Sequence, residues 1–226
     1  VFILFNILLG ISIYFFTKEY FNKSTAIIAL IVFSLSLIQF KVFTYMYYKN
    51  IIAISLILLA FIFLKRDNMP AFILFGILIG IFHRPAFYIF GLSYFIYAFT
   101  SPFDKKDYNL KKLGKNILLG AIILFGTLIF YLGRFSIAIL SLISPVLLSF
   151  VSPGSSPGTF ITFLDYQFSI LFYLPFAILG FFWLVKHRKF DIFFKYTIIL
   201  AIIVYFQLFF FNRFIIFLDI ALIILS

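Results

Sequence analysis

Residues 51–100 contain three apolar runs, IIAISLILLAFIFL (51–64), AFILFGILIGIF (71–82) and AFYIFGLSYFIYAFT (86–100), separated only by KRDNMP and HRP. Each run is a continuous block of apolar residues, whereas the strands of a membrane barrel alternate apolar and polar residues. A helix that crosses a bilayer needs about 20 predominantly apolar residues, and these runs approach that length. The stretch therefore predicts an α-helical membrane bundle.

The same pattern continues on both sides of this stretch. The sequence predicts eight spans and the start of a ninth, at residues 1–16, 25–40, 51–64, 71–82, 86–100, 117–132, 168–185, 192–211 and, incomplete, 214–226. The 226 residues are 65% hydrophobic and 11% charged, which leaves too few polar side chains to cover a soluble domain. We expect an all-α, multi-pass protein of the cell membrane, with residues 1–226 forming a single domain and an internal part of a longer chain.

The basic residues predict how the chain is oriented. The formal net charge of +11 comes from short Lys/Arg clusters between apolar runs, so the expected partners are membrane lipids and not nucleic acid. If the Lys-rich loop 101–116 is cytoplasmic, the loops 17–24 and 65–70 are cytoplasmic too. The cluster at 186–189 joins them only if the apolar segment 135–151 does not cross the membrane. That segment contains a proline and is followed by SPGSSPG, so we predict a re-entrant or interfacial segment on the outer face.

A more varied set of polar residues falls on the predicted outer face. His83, Arg84 and Pro85 interrupt an otherwise continuous apolar stretch. An Arg guanidinium offers a phosphate two parallel hydrogen bonds, and a neighbouring His can carry a proton. The competing interpretation is a tight turn whose Arg reaches the phosphates of ordinary lipids.

Asp219 and Arg213 lie in NRFIIFLDIAL, the start of the last apolar run. An ionised carboxylate within the membrane costs about 3 kcal/mol or more, so Asp219 is expected to face the interior of the bundle. A spacing of six residues places the two side chains on different faces of a helix, which argues against a direct ion pair. Two interpretations remain, a neutral acid hydrogen-bonded between helices and a functional group.

Several kinds of site are not indicated. The chain has no Cys, and no carboxylate cluster accompanies either of its two His residues, His83 and His187, so a transition-metal site is not expected. No glycine-rich nucleotide-binding motif opens a helix. We expect no cofactor within this stretch. A divalent cation bound by a longer chain stays open, but nothing in this stretch indicates one. Gly76 and Gly80 form a GxxxG motif, which predicts close helix packing.

Three stretches carry a family resemblance. FTKEYFNKSTAIIALIVFSLSLIQFKVFTYMYYKNIIAISLILLAFIFLKR (16–66), FILFGILIGIFHRPAFYIFGLSYFIYAF (72–99) and NRFIIFLDIAL (212–222) resemble the middle of the GT-C-type membrane glycosyltransferases, relatives of the protein mannosyltransferases. The likeness covers most of the chain and consists of the hydropathy rhythm, the basic turn before an apolar helix pair, and a few polar positions.

The resemblance implies transfer of a sugar from a polyprenyl-phosphate donor at the outer face of the membrane. On it, Arg84 and Arg213 would contact the donor phosphate, and Lys49 and Arg134 are weaker candidates. His83 and Asp219, singled out above from the residues alone, complete the candidate substrate-binding set. The family's catalytic acid lies in its first outer loop, which nothing in this chain matches, so the catalytic residue stays unknown.

Three other functions remain open at this point. A transporter or lipid flippase would use a central cavity, with broken helices around a site near the midplane. A polymerase or ligase of surface polysaccharide would also act on lipid-linked sugars. A structural membrane protein would need none of these polar groups.

Overall fold

The computed structural model describes residues 2–103, 110–131, 161–208 and 211–226. Over these residues the chain forms eleven α-helices and no strand, which confirms the predicted helical class. The helices are α1 (Phe2–Tyr20), α2 (Lys23–Leu35), α3 (Leu37–Thr44), α4 (Tyr48–Lys65), α5 (Met69–Phe82), α6 (Arg84–Thr100), α7 (Leu110–Phe130), α8 (Phe163–Ile170), α9 (Leu174–Lys186), α10 (Ile192–Tyr205) and α11 (Phe211–Leu225).

Three of the described helices, α1, α4 and α7, are long and apolar enough to cross a membrane. Two pairs reach that length only when each is taken as one span: α2 with α3, bent by 57°, and α8 with α9, bent by 81°. Length and composition therefore support three to five spans within the described residues, against the eight or nine predicted. Helices α5 and α10 have 14 residues each, about 21 Å at 1.5 Å per residue, which is short of a bilayer core of about 30 Å.

The two bends interrupt apolar runs that the sequence predicted as continuous helices. In the predicted span 25–40, Ser36 ends α2 and begins α3, and its Oγ accepts a hydrogen bond from the Gln39 backbone N–H at 3.2 Å. In the predicted span 168–185, α9 begins only at Leu174, with Pro175 in its first turn. Proline has no N–H to continue a preceding helix but fits the start of a new one.

Helix α11 lies at the centre of the bundle. Twelve of its 15 residues are buried, and it packs against α2, α3, α8, α9 and α10. In contrast, α7 exposes large apolar side chains such as Phe125 and Ile129, as a helix in contact with lipid does. The run 214–226, predicted as the start of a ninth span, is thus the core of the described fold.

Helices α5 and α7 pack closely because glycines line their contact. A Cβ atom on Gly80 would lie 2.4 Å from Thr127 Cγ2, and one on Gly76 would lie 2.8 Å from Ile123 Cδ1. Neither position has room for a Cβ atom unless the neighbouring side chains of α7 move. The close packing predicted for the GxxxG motif is confirmed.

The predicted cytoplasmic loops meet at one end of the bundle. Arg66 pairs with Glu19 at 2.6 Å, and Lys115 pairs with Asp67 at 3.0 Å. The ammonium group of Lys189 donates to the Tyr20 carbonyl at 3.3 Å. The cluster at 186–189 therefore shares an end with the loops 17–24 and 65–70, as the predicted orientation requires, while the segment 135–151 itself lies outside the described residues.

Candidate functional site

The opposite end of the bundle carries the polar turn between α5 and α6. His83 is the single residue between the two helices, and its Nδ1 accepts the Ala86 N–H at 3.2 Å. Pro85 stands in the first turn of α6, where a missing N–H costs no hydrogen bond. The sequence HRP thus builds a compact cap that fixes the imidazole at the start of a helix.

Lys49 on α4 and Arg213 on α11 act electrostatically on this imidazole. Burial, together with the positive charges of Arg213 and Lys49, lowers the pKa of His83 to about 4. The ring is therefore neutral at pH 7, and because Nδ1 accepts a hydrogen bond, its proton resides on Nε2. The His83 ring also stacks near Phe217, with 6.1 Å between ring centroids. His83 thus lies within electrostatic reach of two other predicted residues, Lys49 and Arg213, and we call the three the outer cation group after its two charged members.

Arg84 follows His83 in the chain and contacts Tyr131, the residue after α7. Its guanidinium lies over the Tyr131 ring, 5.0 Å from the centroid, a favourable cation–π geometry. The Tyr131 hydroxyl in turn reaches the carbonyl oxygens of Gly80 and Ile81, both at 3.2 Å. Arg134, the remaining predicted cation, lies outside the described residues.

A further charged pair lies at the same end, between α3 and α8. Lys41 and Asp165 form an ion pair at 3.3 Å, and both side chains are partly exposed. An exposed pair of this kind contributes little stability. It does show that α8, which follows the undescribed segment 132–160, lies on the same side of the bundle as α3.

Asp219 is fully buried in the centre of the bundle, on the interior face that the sequence predicted. Its Oδ2 accepts hydrogen bonds from Gln39 Nε2 at 2.6 Å and Ser36 Oγ at 3.2 Å. Its Oδ1 accepts a hydrogen bond from the Tyr173 hydroxyl. The carboxylate therefore joins α11 to both helix bends, because Ser36 lies at one bend and Tyr173 at the other.

A second tyrosine lies within the electrostatic reach of Asp219. Tyr166 on α8 has no exposed surface, and the charge of Asp219 acts on its hydroxyl. Among the described residues that hydroxyl has no hydrogen-bond partner. A buried, unsatisfied hydroxyl costs about 1–3 kcal/mol, so the polar core lacks a hydrogen-bonding partner for this oxygen.

The sequence prediction named Asp219 but not its partners. Ser36, Gln39 and Tyr173 stand in predicted apolar runs, where isolated polar residues are common, and Tyr166 stands just before the predicted span 168–185. A signal was present in Ser36-Leu-Ile-Gln39, which matches the S/T-x-x-E/Q pattern of a helix N-terminus. In the fold, the Gln39 side chain does not bond back to the Ser36 backbone, as in that pattern, but donates a hydrogen bond to Asp219.

An apolar groove opens beside the core between α9, α10 and α11. Its walls include Ala177, Phe181, Ile202 and Leu218, with Tyr205 at one end. A groove with almost no polar surface suits a lipid chain and not a water-soluble molecule.

No three His, Asp or Glu side chains of the described ranges come together as a metal cluster would require. Comparisons with protein-family models, with curated proteins and with solved structures give no match to this chain.

Proposed function

We propose that this chain is part of a membrane glycosyltransferase that takes a sugar from a polyprenyl-phosphate donor at the outer face of the cell membrane. The observation that supports it best is the outer cation group, which lies at the end of the bundle opposite the Lys-rich loops. Binding of a lipid phosphate at the outer face requires positive charge at that end of the bundle, in addition to the Lys-rich clusters at the other end.

The chemistry of the group fits a phosphate leaving group. Arg213 supplies a guanidinium that can bind two phosphate oxygens at once, and Lys49 supplies an exposed ammonium. Neutral His83 supplies an Nε2–H donor. As the bond from sugar to phosphate breaks, negative charge grows on the phosphate, and donors already fixed in place stabilise it. The catalytic acid or base is not assigned to any residue of this chain.

Donor binding can be tested without transfer. We expect undecaprenyl phosphate, added to the purified protein in nanodiscs, to raise its melting temperature, while undecaprenol, which lacks the phosphate, does not. Arg213→Ala should weaken the effect of the phosphate at least tenfold because one bidentate contact is lost. Lys111→Ala, an exposed Lys at the other end of the bundle, is the matched control. Equal responses to the two lipids would contradict the proposal.

Transfer gives the second test. In membranes containing the full-length protein, Arg213→Ala should abolish transfer from a polyprenyl-phosphate sugar at an unchanged protein level, and Lys111→Ala should retain it. Unchanged transfer in the Arg213 variant would remove this residue from the site.

Transport is a second candidate function, favoured by one specific observation. Two bent helix pairs meet at a buried carboxylate, and helices broken around a polar site near the midplane are typical of secondary transporters. Solute uptake into proteoliposomes containing the protein, driven by an ion gradient, would favour this function over glycosyl transfer.

A further inference from the structure

The polar core around Asp219 is built from four different parts of the chain. Ser36 and Gln39 at the first bend and Tyr173 at the second are hydrogen-bonded to Asp219 on α11, and the buried Tyr166 hydroxyl on α8 lies within electrostatic reach of it. We call these five residues the Asp219 junction. Each of the two helix bends in the described fold contributes at least one residue to this junction. Irregular backbone within a membrane is tolerated where it lines a polar cavity or is satisfied by buried partners.

The ionised form of Asp219 has no partner of opposite charge among the described residues. Every hydrogen bond that the described residues make to the Asp219 carboxyl group comes from a neutral side chain, and no ion pair of these residues includes it. A buried carboxylate is stable only if it is neutralised by a proton or by a partner of opposite charge. Three hydrogen-bond donors reduce the cost of the ionised form but do not neutralise its charge.

The junction also holds more oxygen atoms than its hydrogen bonds use. Tyr166 Oη has no partner, and the hydroxyl oxygens of Ser36 and Tyr173 keep lone pairs while donating to Asp219. Rotation of the Gln39 amide would present its oxygen instead of its nitrogen. Carboxylate, hydroxyl and amide oxygens are the ligands that hard cations prefer.

We propose that the Asp219 junction binds a sodium ion, with Asp219 as the charged ligand and the hydroxyl oxygens of Ser36, Tyr166 and Tyr173 completing the site. A monovalent cation neutralises the single carboxylate, whereas a divalent cation would leave one uncompensated positive charge in the core. The ion also supplies the partner that the Tyr166 hydroxyl lacks. This inference does not depend on the proposed glycosyl transfer.

Sodium binding predicts a specific ion effect on stability. Thermal unfolding of the purified protein is followed as NaCl replaces choline chloride at constant ionic strength. A ligand that binds only the folded state raises the melting temperature progressively with its concentration. We expect a saturable rise with Na⁺, and binding of ²²Na⁺ that unlabelled NaCl displaces.

Three variants separate the ion site from a purely structural core. Asp219→Asn should abolish both the sodium-dependent rise and ²²Na⁺ binding. Tyr166→Phe keeps every hydrogen bond to Asp219 and should still fold, while weakening Na⁺ binding at least tenfold. Asp165→Asn, which removes the partly exposed carboxylate paired with Lys41, should leave Na⁺ binding unchanged.

Two results would overturn the proposal. The first is a wild-type protein that binds no ²²Na⁺ and whose melting temperature does not depend on Na⁺, which would identify Asp219 as a buried protonated acid. An unchanged sodium response in the Asp219 variant would equally overturn it.

Discussion

Tyr166 and Tyr173 form a natural comparison at the scale of single residues. Both side chains are buried, but only the Tyr173 hydroxyl donates a hydrogen bond, to Asp219. In sodium-free buffer, Tyr173→Phe should lower the free energy of unfolding by about 1–3 kcal/mol because the carboxylate loses a donor. Tyr166→Phe should be neutral or slightly stabilising, since it removes an unsatisfied hydroxyl. Denaturant unfolding in micelles measures both, and equal losses in the two variants would contradict a specific contribution from the Tyr173 hydrogen bond.

Single residues were predictable from sequence where their chemistry conflicts with their surroundings. An acid in FIIFLDIAL or a His-Arg pair between two apolar runs stands out because ionisable groups are costly in a membrane. The partners of Asp219 were not predictable. Gln39 lies 180 residues away along the chain, and only the packing of α11 against α2, α3, α8 and α9 brings the two together.

At the scale of elements, hydropathy located the helices but not their bends. Hydropathy predicts one span for a continuous apolar run, even where a capping residue or a proline starts a new helix. Ser36 caps α3, Thr162 caps α8 by accepting the Asp165 N–H at 3.1 Å, and Pro175 opens α9. These are the N-terminal signals known from soluble helices, and within an apolar run they indicate where a span breaks.

Packing between elements gives the next prediction, for the contact of α5 with α7. Gly80→Ala should lower the free energy of unfolding by about 1–3 kcal/mol, because the new methyl group would overlap the β-branched Thr127 side chain. Gly91→Ala is the matched control: it also changes a glycine within an apolar helix, but nothing lies within 4 Å of its Cβ position. The control should be neutral or stabilising, since Ala favours a helix over Gly. Similar losses in both variants would contradict close packing at Gly80.

The whole molecule has two chemically different ends. One end joins the Lys-rich loops through exposed ion pairs such as Arg66 with Glu19, which contribute little stability. The other end holds the outer cation group, in which burial and the charges of Arg213 and Lys49 keep His83 neutral. The sequence predicted this division from loop charges alone. The number of crossings was less predictable, because several described helices are too short to span a bilayer by themselves.

The absence of Cys from the sequence allows a direct test of this orientation. Single cysteines replacing Lys49, Lys111 and Lys186, which are all exposed, can be probed in intact cells with a membrane-impermeant maleimide. We expect labelling of Lys49→Cys alone, and labelling of all three once the membrane is permeabilised. Lys186→Cys decides how the chain passes between α7 and α9, because a crossing by the segment 135–151 would move this residue to the outer face. Labelling of Lys186→Cys but not Lys111→Cys in intact cells would therefore contradict the predicted re-entrant or interfacial segment, and would separate the two basic clusters that the fold places at one end.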